Sequence, residues 1–550
     1  MKTHRNHLFH GLMIMAILVT NCNPMKQTVD MIVYNAHVYT VNEKFETVEA
    51  FAVNDGRFLA MGTTDEILFR FESANTINAL GKPVYPGFND GHCHFYGYGE
   101  NSIRYADLSG TKSFDEVLER LKRHAEKFPS EWLLGRGWDQ NTWETKQFPD
   151  NDDLEKLFPG KKVYLIRIDG HAALVSKQAL KSAGINENYR IIGGEVITNE
   201  QGEASGILLD NAMDTIRDLI PALTAEQKET ALVKAQQDCF AVGLTSVTDA
   251  GLSYQVIDLI AALQLQDKLK MKMNVMLTPD SVSLARFLPF GPKVTERLIV
   301  RSIKLYADGA LGSRGAKLLL PYSDETDKTG MIMFEKDYYE KICKQAYEAG
   351  FQVNMHAIGD SANRMALNIF GSFLNGKNDL RWRIEHAQVV DPADFELFGK
   401  YSIIPSVQST HCTSDMGWAD ERLGPERIKT AYTQKQLILQ NGWLINGTDF
   451  PIESINPVNT FYAAVARKST DGFPVNGFQT ENALNREEAL RSITIWPAKG
   501  AFEELVKGSI EINKYADFVI LDRDIMMIPS DSILLTKVLR TVSSGEIVYE

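Results

Sequence analysis

The chain has 550 residues, 44% apolar and 23% charged, with 39 Gly and only 19 Pro. That composition excludes a collagenous, coiled-coil or largely disordered chain and leaves material for several large cores. A net charge of −13 excludes an electrostatic nucleic-acid footprint, and five Cys without a C-x-x-C spell neither a disulfide framework nor a zinc ribbon.

Lys2 and Arg5 precede an apolar run, Leu12 to Val19, that is too short to span a bilayer. A basic segment before a short apolar one reads as a secretory signal. The run ends in Leu18-Val19-Thr20-Asn21-Cys22, which resembles a bacterial lipoprotein box. Residues 1–22 are therefore expected to be a signal segment, with Cys22 lipidated and the protein exported. It would be anchored in a bacterial cell envelope and face the periplasm or cell surface. An ordinary secretory signal cut elsewhere is the alternative. The other four Cys (Cys93, Cys239, Cys343 and Cys412) are expected to be buried free thiols.

Residues 31–82 alternate apolar and polar residues between Gly and Asn turns, as in Met31-Ile-Val-Tyr and Arg57-Phe-Leu-Ala-Met, and predict short antiparallel strands. The last stretch is alike, with Ala516-Asp-Phe-Val-Ile-Leu and Glu546-Ile-Val-Tyr. Residues 30–85 and 500–550 are thus expected to form one small β-domain closed by both chain ends. Between them strand-like and helical runs alternate, which argues for a parallel sheet. Eight strands are predicted: Val84–Phe88, Leu244–Asp249, Lys272–Leu277, Ile303–Ala307, Gln352–Met355, Trp382–Glu385, Ile403–Val407 and Trp443–Ile445. Eight such units over residues 86–499 point to a (β/α)8 barrel. No G-x-G-x-x-G opens a helix after the first strand, as a doubly wound dinucleotide fold would require. Residues 100–240 are too long for one connection, and the turn-rich patch 191–206 reads as a hairpin, so this stretch is an insertion over the barrel mouth.

Asp90-Gly-His92-Cys-His94 is the strongest local signal. In an extended chain residues i and i+2 point the same way, so His92 and His94 can offer two imidazoles to one metal. His356, His386 and Asp449 each end a strand-like run. In a barrel those ends converge on the face where active sites sit, and several His with a carboxylate there suit a hydrolytic metal. Core histidines satisfied by backbone groups are the alternative. Lys304 stands in the strand-like Ile303-Lys-Leu-Tyr-Ala-Asp308. Burial would lower its pKa and let the neutral amine add carbon dioxide; spacing alone favours a lysine that snorkels or pairs with Asp308. Trp138, Arg167 and His171 in the insertion, and His411 after the seventh strand, are candidate substrate contacts. The Gly-rich run Asp308–Arg314 lacks the Lys-Ser/Thr of a P-loop and reads as a mouth loop.

Pro86-Gly-Phe-Asn-Asp-Gly-His-Cys-His, Ile303-Lys-Leu-Tyr-Ala-Asp-Gly-Ala-Leu-Gly-Ser-Arg, His356-Ala-Ile-Gly-Asp, Arg383-Ile-Glu-His-Ala, Val407-Gln-Ser-Thr-His and Gly447-Thr-Asp-Phe-Pro together resemble the metal-dependent amidohydrolase superfamily, in the wording of its N-substituted formamide deformylase-like branch. The resemblance runs over residues 30–550, including the tail Lys507-Gly-Ser-Ile-Glu. It implies an α/β fold, a distorted (β/α)8 TIM barrel with a small β-sandwich domain built from both chain ends. It implies a divalent metal, one or two Zn, held by His92, His94, His356, His386 and Asp449, and places Lys304 where binuclear members carry a carboxylated lysine. The implied reaction is hydrolysis of a non-peptide carbon–nitrogen bond by metal-activated water, with Asp449 as general base and acid. The expected partner is a small amide-type substrate; nucleic acid is not expected, and a membrane is met only through a lipid on Cys22. A homodimer is the commonest assembly for such a protein. An ester or lactone hydrolase on the same site is one alternative, and a non-catalytic ligand-binding surface lipoprotein another.

Overall fold

The computed structural model describes residues 25–128 and 130–550; the proposed signal segment and Cys22 lie outside the described residues. Eight parallel strands follow one another in chain order around a nearly closed barrel: Phe88–Cys93, Leu244–Leu252, Lys272–Leu277, Leu298–Tyr306, Gln352–Ala357, Arg383–His386, Ile404–Val407 and Ile445–Asn446. The first and last strands meet without a ladder between them. A Cβ on Gly91 would lie 2.0 Å from Ile445 Cγ2 and 2.9 Å from the Asn446 carbonyl oxygen, so only glycine lets the seam close. The second to eighth strands fall where expected, the last of them displaced by one or two residues. The first is the exception.

Val84–Phe88 is not the first barrel strand. Pro83–Pro86 instead pairs antiparallel with Phe518–Leu521 and parallel with His37–Tyr39 in the small domain, and the barrel strand starts at Phe88. Gly87 is the joint: its N–H donates to the Asp517 carbonyl at 2.9 Å, and a Cβ there would lie 2.2 Å from Thr245 Oγ1. The chain therefore leaves one sheet and enters the other without a loop, and an apolar run spanning both reads as one strand.

The small domain is a sandwich of two sheets. Arg57–Gly62, Ala50–Asn54, Met31–Tyr34 and Thr76–Asn78 form one; the three C-terminal strands with Pro83–Pro86, His37–Tyr39 and Thr47–Val48 form the other. Most pairs are antiparallel as predicted, but Met31–Tyr34 with Thr76–Asn78 and His37–Tyr39 with Pro83–Pro86 are parallel. Alternation explains how it seats on the barrel. Phe518 and Ile520 face the sandwich core with Phe51, Phe58 and Val84, while Val519, Leu521 and Tyr85 face the barrel core.

The insertion carries its own six-stranded sheet, in the order Ala106–Asp107, Trp132–Trp138, Lys162–Arg167, Ala172–Val175, Ala204–Asp210, Gly194–Thr198. Its last two strands are the predicted hairpin. Both faces are apolar: Leu133, Val163 and Leu165 pack on one side, Trp132, Leu134 and Tyr164 on the other. The four Cys of the described residues are buried and free. Among the described residues no helix is long and apolar enough to cross a membrane.

Candidate metal centre

Five of the eight strands deliver polar side chains to one mouth of the barrel. His92 lies in the first strand and His94 one residue beyond it; Lys304 and Tyr306 end the fourth, His356 lies in the fifth and His386 ends the sixth. Asp449 follows the eighth strand in a left-handed conformation, φ 59°, and His386 has φ 73°. Such backbones persist where surrounding bonds over-determine them. Here the Asp449 N–H donates to the His92 carbonyl at 2.8 Å. The buried Asp90 carboxylate accepts from Thr448 Oγ1 at 2.7 Å and from the Thr448 and His92 N–H groups. Asp90 thereby ties the first and eighth strands together and fixes where their ligands point.

The Asp449 carboxylate lies at the centre of the cluster. Its Oδ1 is 3.2 Å from His94 Nε2 and 3.5 Å from His92 Nε2, and its Oδ2 is 3.6 Å from His411 Nε2. Two groups are therefore close enough to share an ion: His92, His94 and Asp449, and His386, His411 and Asp449. Ligands bound at about 2.1 Å in a tetrahedron stand roughly 3.4 Å apart, close to the distances from Asp449 to His92, His94 and His411. Asp449 Oδ1 and His411 Nε2 are buried without a hydrogen-bond partner, an arrangement costly unless something else satisfies them. A divalent cation fits that need.

The far nitrogens of two imidazoles are held from behind. His92 Nδ1 meets Glu385 Oε2 at 2.6 Å and His386 Nδ1 meets Gln408 Oε1 at 2.7 Å, so each Nε2 is left for the centre. Burial, then the neighbouring Lys304, pushes His92 down to about 4, and burial holds His356 and His386 well below the usual histidine range. All three are neutral donors at physiological pH. Burial pushes the Asp449 carboxyl up, but the neighbouring His94 and His92 rings hold it well below the usual range, so it is ionised.

The sequence candidates divide. His92, His94, His386 and Asp449 come together as expected. Lys304 joins them, with Nζ 3.3 Å from His92 Nε2. It does not pair with Asp308, whose carboxylate accepts from the N–H groups of Lys317, Ile358 and Gly359; burial pushes the lysine down to about 8. His356 packs its ring 4.6 Å from that of His386 but lies outside both three-residue groups, with Nε2 3.4 Å from the Gly309 carbonyl. His411, expected as a substrate contact, lines the smaller cavity and also stacks on His386 with ring centroids 5.7 Å apart, as part of the second group. Trp138 is no substrate contact: it is buried in the insertion core, with its indole N–H donating to the Leu165 carbonyl at 2.8 Å. Its aromatic bulk serves packing, and the next residue, Asp139, reaches the cavity in its place.

Two cavities open beside the cluster, of about 260 and 370 Å³, and share His94, Asp169, His171, Tyr306 and Ile452 as walls. Arg167 lines the first, bound to Asp139, Asp169 and Gln140; His171 lines both, with Nδ1 2.7 Å from Asp210 Oδ1. Glu385, Gln408 and Asp90 escaped the sequence reading as working residues. Glu385 and Asp90 each sit beside a ligand in a quoted motif, but their role depends on contacts across the barrel.

The comparisons agree with this geometry. A model described as "Amidohydrolase family" matches residues 75–549. YtcJ of Bacillus subtilis (strain 168) is 32% identical over 531 residues, covering 94% of this chain and 99% of that protein. The N-substituted formamide deformylase of Arthrobacter pascens is 25% identical, covering 96% and 99%. Among solved structures, an uncharacterized metal-dependent hydrolase from Pyrococcus horikoshii OT3 superposes with a TM-score of 0.73 at 27% identity, covering 91% of this chain and 99% of that one. The chain belongs to the amidohydrolase family, as a metal-dependent hydrolase.

Proposed function

We propose that the protein hydrolyses a non-peptide carbon–nitrogen bond, of amide type, in a small molecule. The observation that carries this reading is the ionised, buried Asp449 with one oxygen free of hydrogen bonds among His92, His94 and His411. His92, His94, His386, His411 and Asp449 would hold one or two divalent ions, zinc by the preference of imidazole and carboxylate donors. A bound cation there would acidify water and polarise the substrate carbonyl. The residues supply the rest. Asp449, held as a carboxylate, takes the proton of the attacking water and returns it to the departing amine nitrogen. The insertion covers the mouth and limits water. The name of the Arthrobacter relative makes N-substituted formamides the first substrates to try.

Lys304 supports a binuclear version. A buried amine pushed down to about 8 has a larger neutral fraction near neutral pH than a free lysine and can add carbon dioxide, losing a proton to give a carbamate, a carboxylate that would serve as a ligand to a second ion. In the mononuclear version it stays an amine beside His92. Export with a lipid on Cys22, facing the periplasm or cell surface, and assembly as a homodimer belong to the same proposal.

The test is metal content and amine release, from N-formyl and N-acyl amines, in the full chain and in Asp449→Ala and Lys304→Ala. Two equivalents in the parent, falling towards one in Lys304→Ala, together with a carbon-13 carbamate signal from labelled bicarbonate, are expected. Asp449→Ala should lose activity by at least a hundredfold. Acid release from esters without amine release from amides would instead favour the esterase or lactonase reading, and absence of stoichiometric metal the ligand-binding one.

A further inference from the structure

The two cavities differ in the charge they leave uncompensated. In the larger, Glu100 pairs with Arg104, Asp169 with Arg167, Asp210 with His171 and Asp214 with Arg217. One charged side chain of that wall has no ion pair among the described residues: Arg136. Its guanidinium makes a single side-chain hydrogen bond, Nη2 to the Ile168 carbonyl at 3.3 Å, and its Nε is buried without a partner. A guanidinium carries five N–H donors and is always charged; the buried Nε is costly to leave without a partner, and the side chain lines the cavity. Asp169 lines the same wall but forms no ion pair with Arg136; its oxygens accept from the Arg167 guanidinium and the His171 N–H. The smaller cavity has the opposite bias. Asp415 and Glu453 line it without any cation in ion-pair contact, Asp415 accepting from Tyr432 and Glu453 from Ser414.

We propose that Arg136 binds a free carboxylate of the substrate, so that the enzyme acts on amide-type molecules carrying a carboxylate away from the scissile bond. This rests on the amide-hydrolase reading of the site. The two cavities meet at His94 and His171, beside Asp449. A substrate with its scissile group at that junction meets an unpaired guanidinium in one lobe and two carboxyls without an ion pair in the other. A carboxylate enters the first, where the guanidinium meets it, and that pairing fixes the direction in which the molecule lies. Fork-to-carboxylate pairing adds two parallel hydrogen bonds to the charge attraction.

The experiment uses two matched pairs of probes with the metal-loaded full chain. N-formyl-ε-aminocaproate is set against N-formylhexylamine, and N-hexylsuccinamate against N-hexylbutyramide, which places the carboxylate on the amine side in one pair and the acyl side in the other. Formate or hexylamine release gives kcat/KM, and the thermal midpoint with each probe reports binding without turnover. The carboxylate member of at least one pair is expected to exceed its neutral twin at least about tenfold. That ratio should fall towards one in Arg136→Gln, through KM, and lie between in Arg136→Lys, which keeps the charge and loses the fork. The Lys variant also decides the matter if the Gln variant does not fold. Ratios near one in both pairs, or a ratio that survives Arg136→Gln, overturn the proposal. Should no probe be turned over, it is the amide reading that fails, and the thermal arm still decides. A carboxylate-specific rise in the midpoint, absent from Arg136→Gln, supports the assignment of Arg136, and equal or absent shifts within each pair overturn it.

Discussion

Glu385 shows how much of this centre depends on a residue that would touch no ion. It is fully buried between His92 Nδ1 and the Arg383 guanidinium, whose Nε lies 3.5 Å from its Oε1. Burial pushes its carboxyl up, but Arg383 and then His92 hold it down to about 2. Glu385→Gln should therefore weaken metal binding by about ten- to a hundredfold, read by competition with a chelator. The same substitution should change the acid limb of stability. A carboxyl at about 2 in the folded chain and about 4.3 in the unfolded one stabilises fully above the higher value. That contribution disappears as pH falls towards the lower one. Thermal midpoints between those limits should fall less steeply with acid in Glu385→Gln than in the parent; parallel curves would contradict the assignment.

At the scale of the element, the barrel seam is set by small residues. Gly447 precedes the Thr448–Asp449 turn, and a Cβ there would lie 2.5 Å from the His92 nitrogen, 2.7 Å from its carbonyl oxygen and 2.9 Å from Asp90 Oδ1. Two of these are backbone atoms that cannot rotate aside. Gly447→Ala should push the first and eighth strands apart, lower stability by about 1–3 kcal/mol and reduce metal content, because the displaced atoms belong to His92 and to the Asp90 clamp on Asp449. Denaturant titration and metal analysis on one preparation check both. At this scale periodicity placed seven barrel strands to within a few residues and failed at Val84–Phe88, where one apolar run crosses two sheets at Gly87. It also failed on strand direction in the small domain. Alternation reports which face is buried and carries no information on whether the neighbour runs parallel.

Across the whole molecule, the barrel and the terminal sandwich are joined by a buried ion pair. Lys272 Nζ lies 2.6 Å from Asp517 Oδ1 and 3.1 Å from Ser543 Oγ, and the same carboxylate oxygen accepts from the Ser544 N–H at 2.8 Å. Lys272 is 1% and Asp517 4% exposed, so removing one partner strands the other charge. Lys272→Met should cost about 3–5 kcal/mol, read as a shift of the denaturation midpoint. Adding Asp517→Asn, which keeps an acceptor for Ser544, should regain part of it. A single variant that unfolds like the parent would mean that the two units do not depend on this contact. Tyr39 and Tyr85, whose rings pack against the barrel core, both donate to Asp524 within the small domain.

The sequence by itself determined the alternation of strands and helices, the pairing of the two chain ends into one small domain, the inserted hairpin and the ligand-type residues at strand ends. Each of these is carried by local periodicity and by residue type at a strand terminus, which a linear reading detects. Only the tertiary structure decided which of those residues meet. It drew His411 towards Asp449, left His356 against Gly309, sank Trp138 into the insertion core and set Glu385 and Gln408 behind the imidazoles. Those outcomes depend on barrel closure and on side chains contributed by segments as far apart as His92 and Asp449. Contacts across such separations follow from how the sheet curls and where the insertion lies, and no short stretch of sequence encodes them.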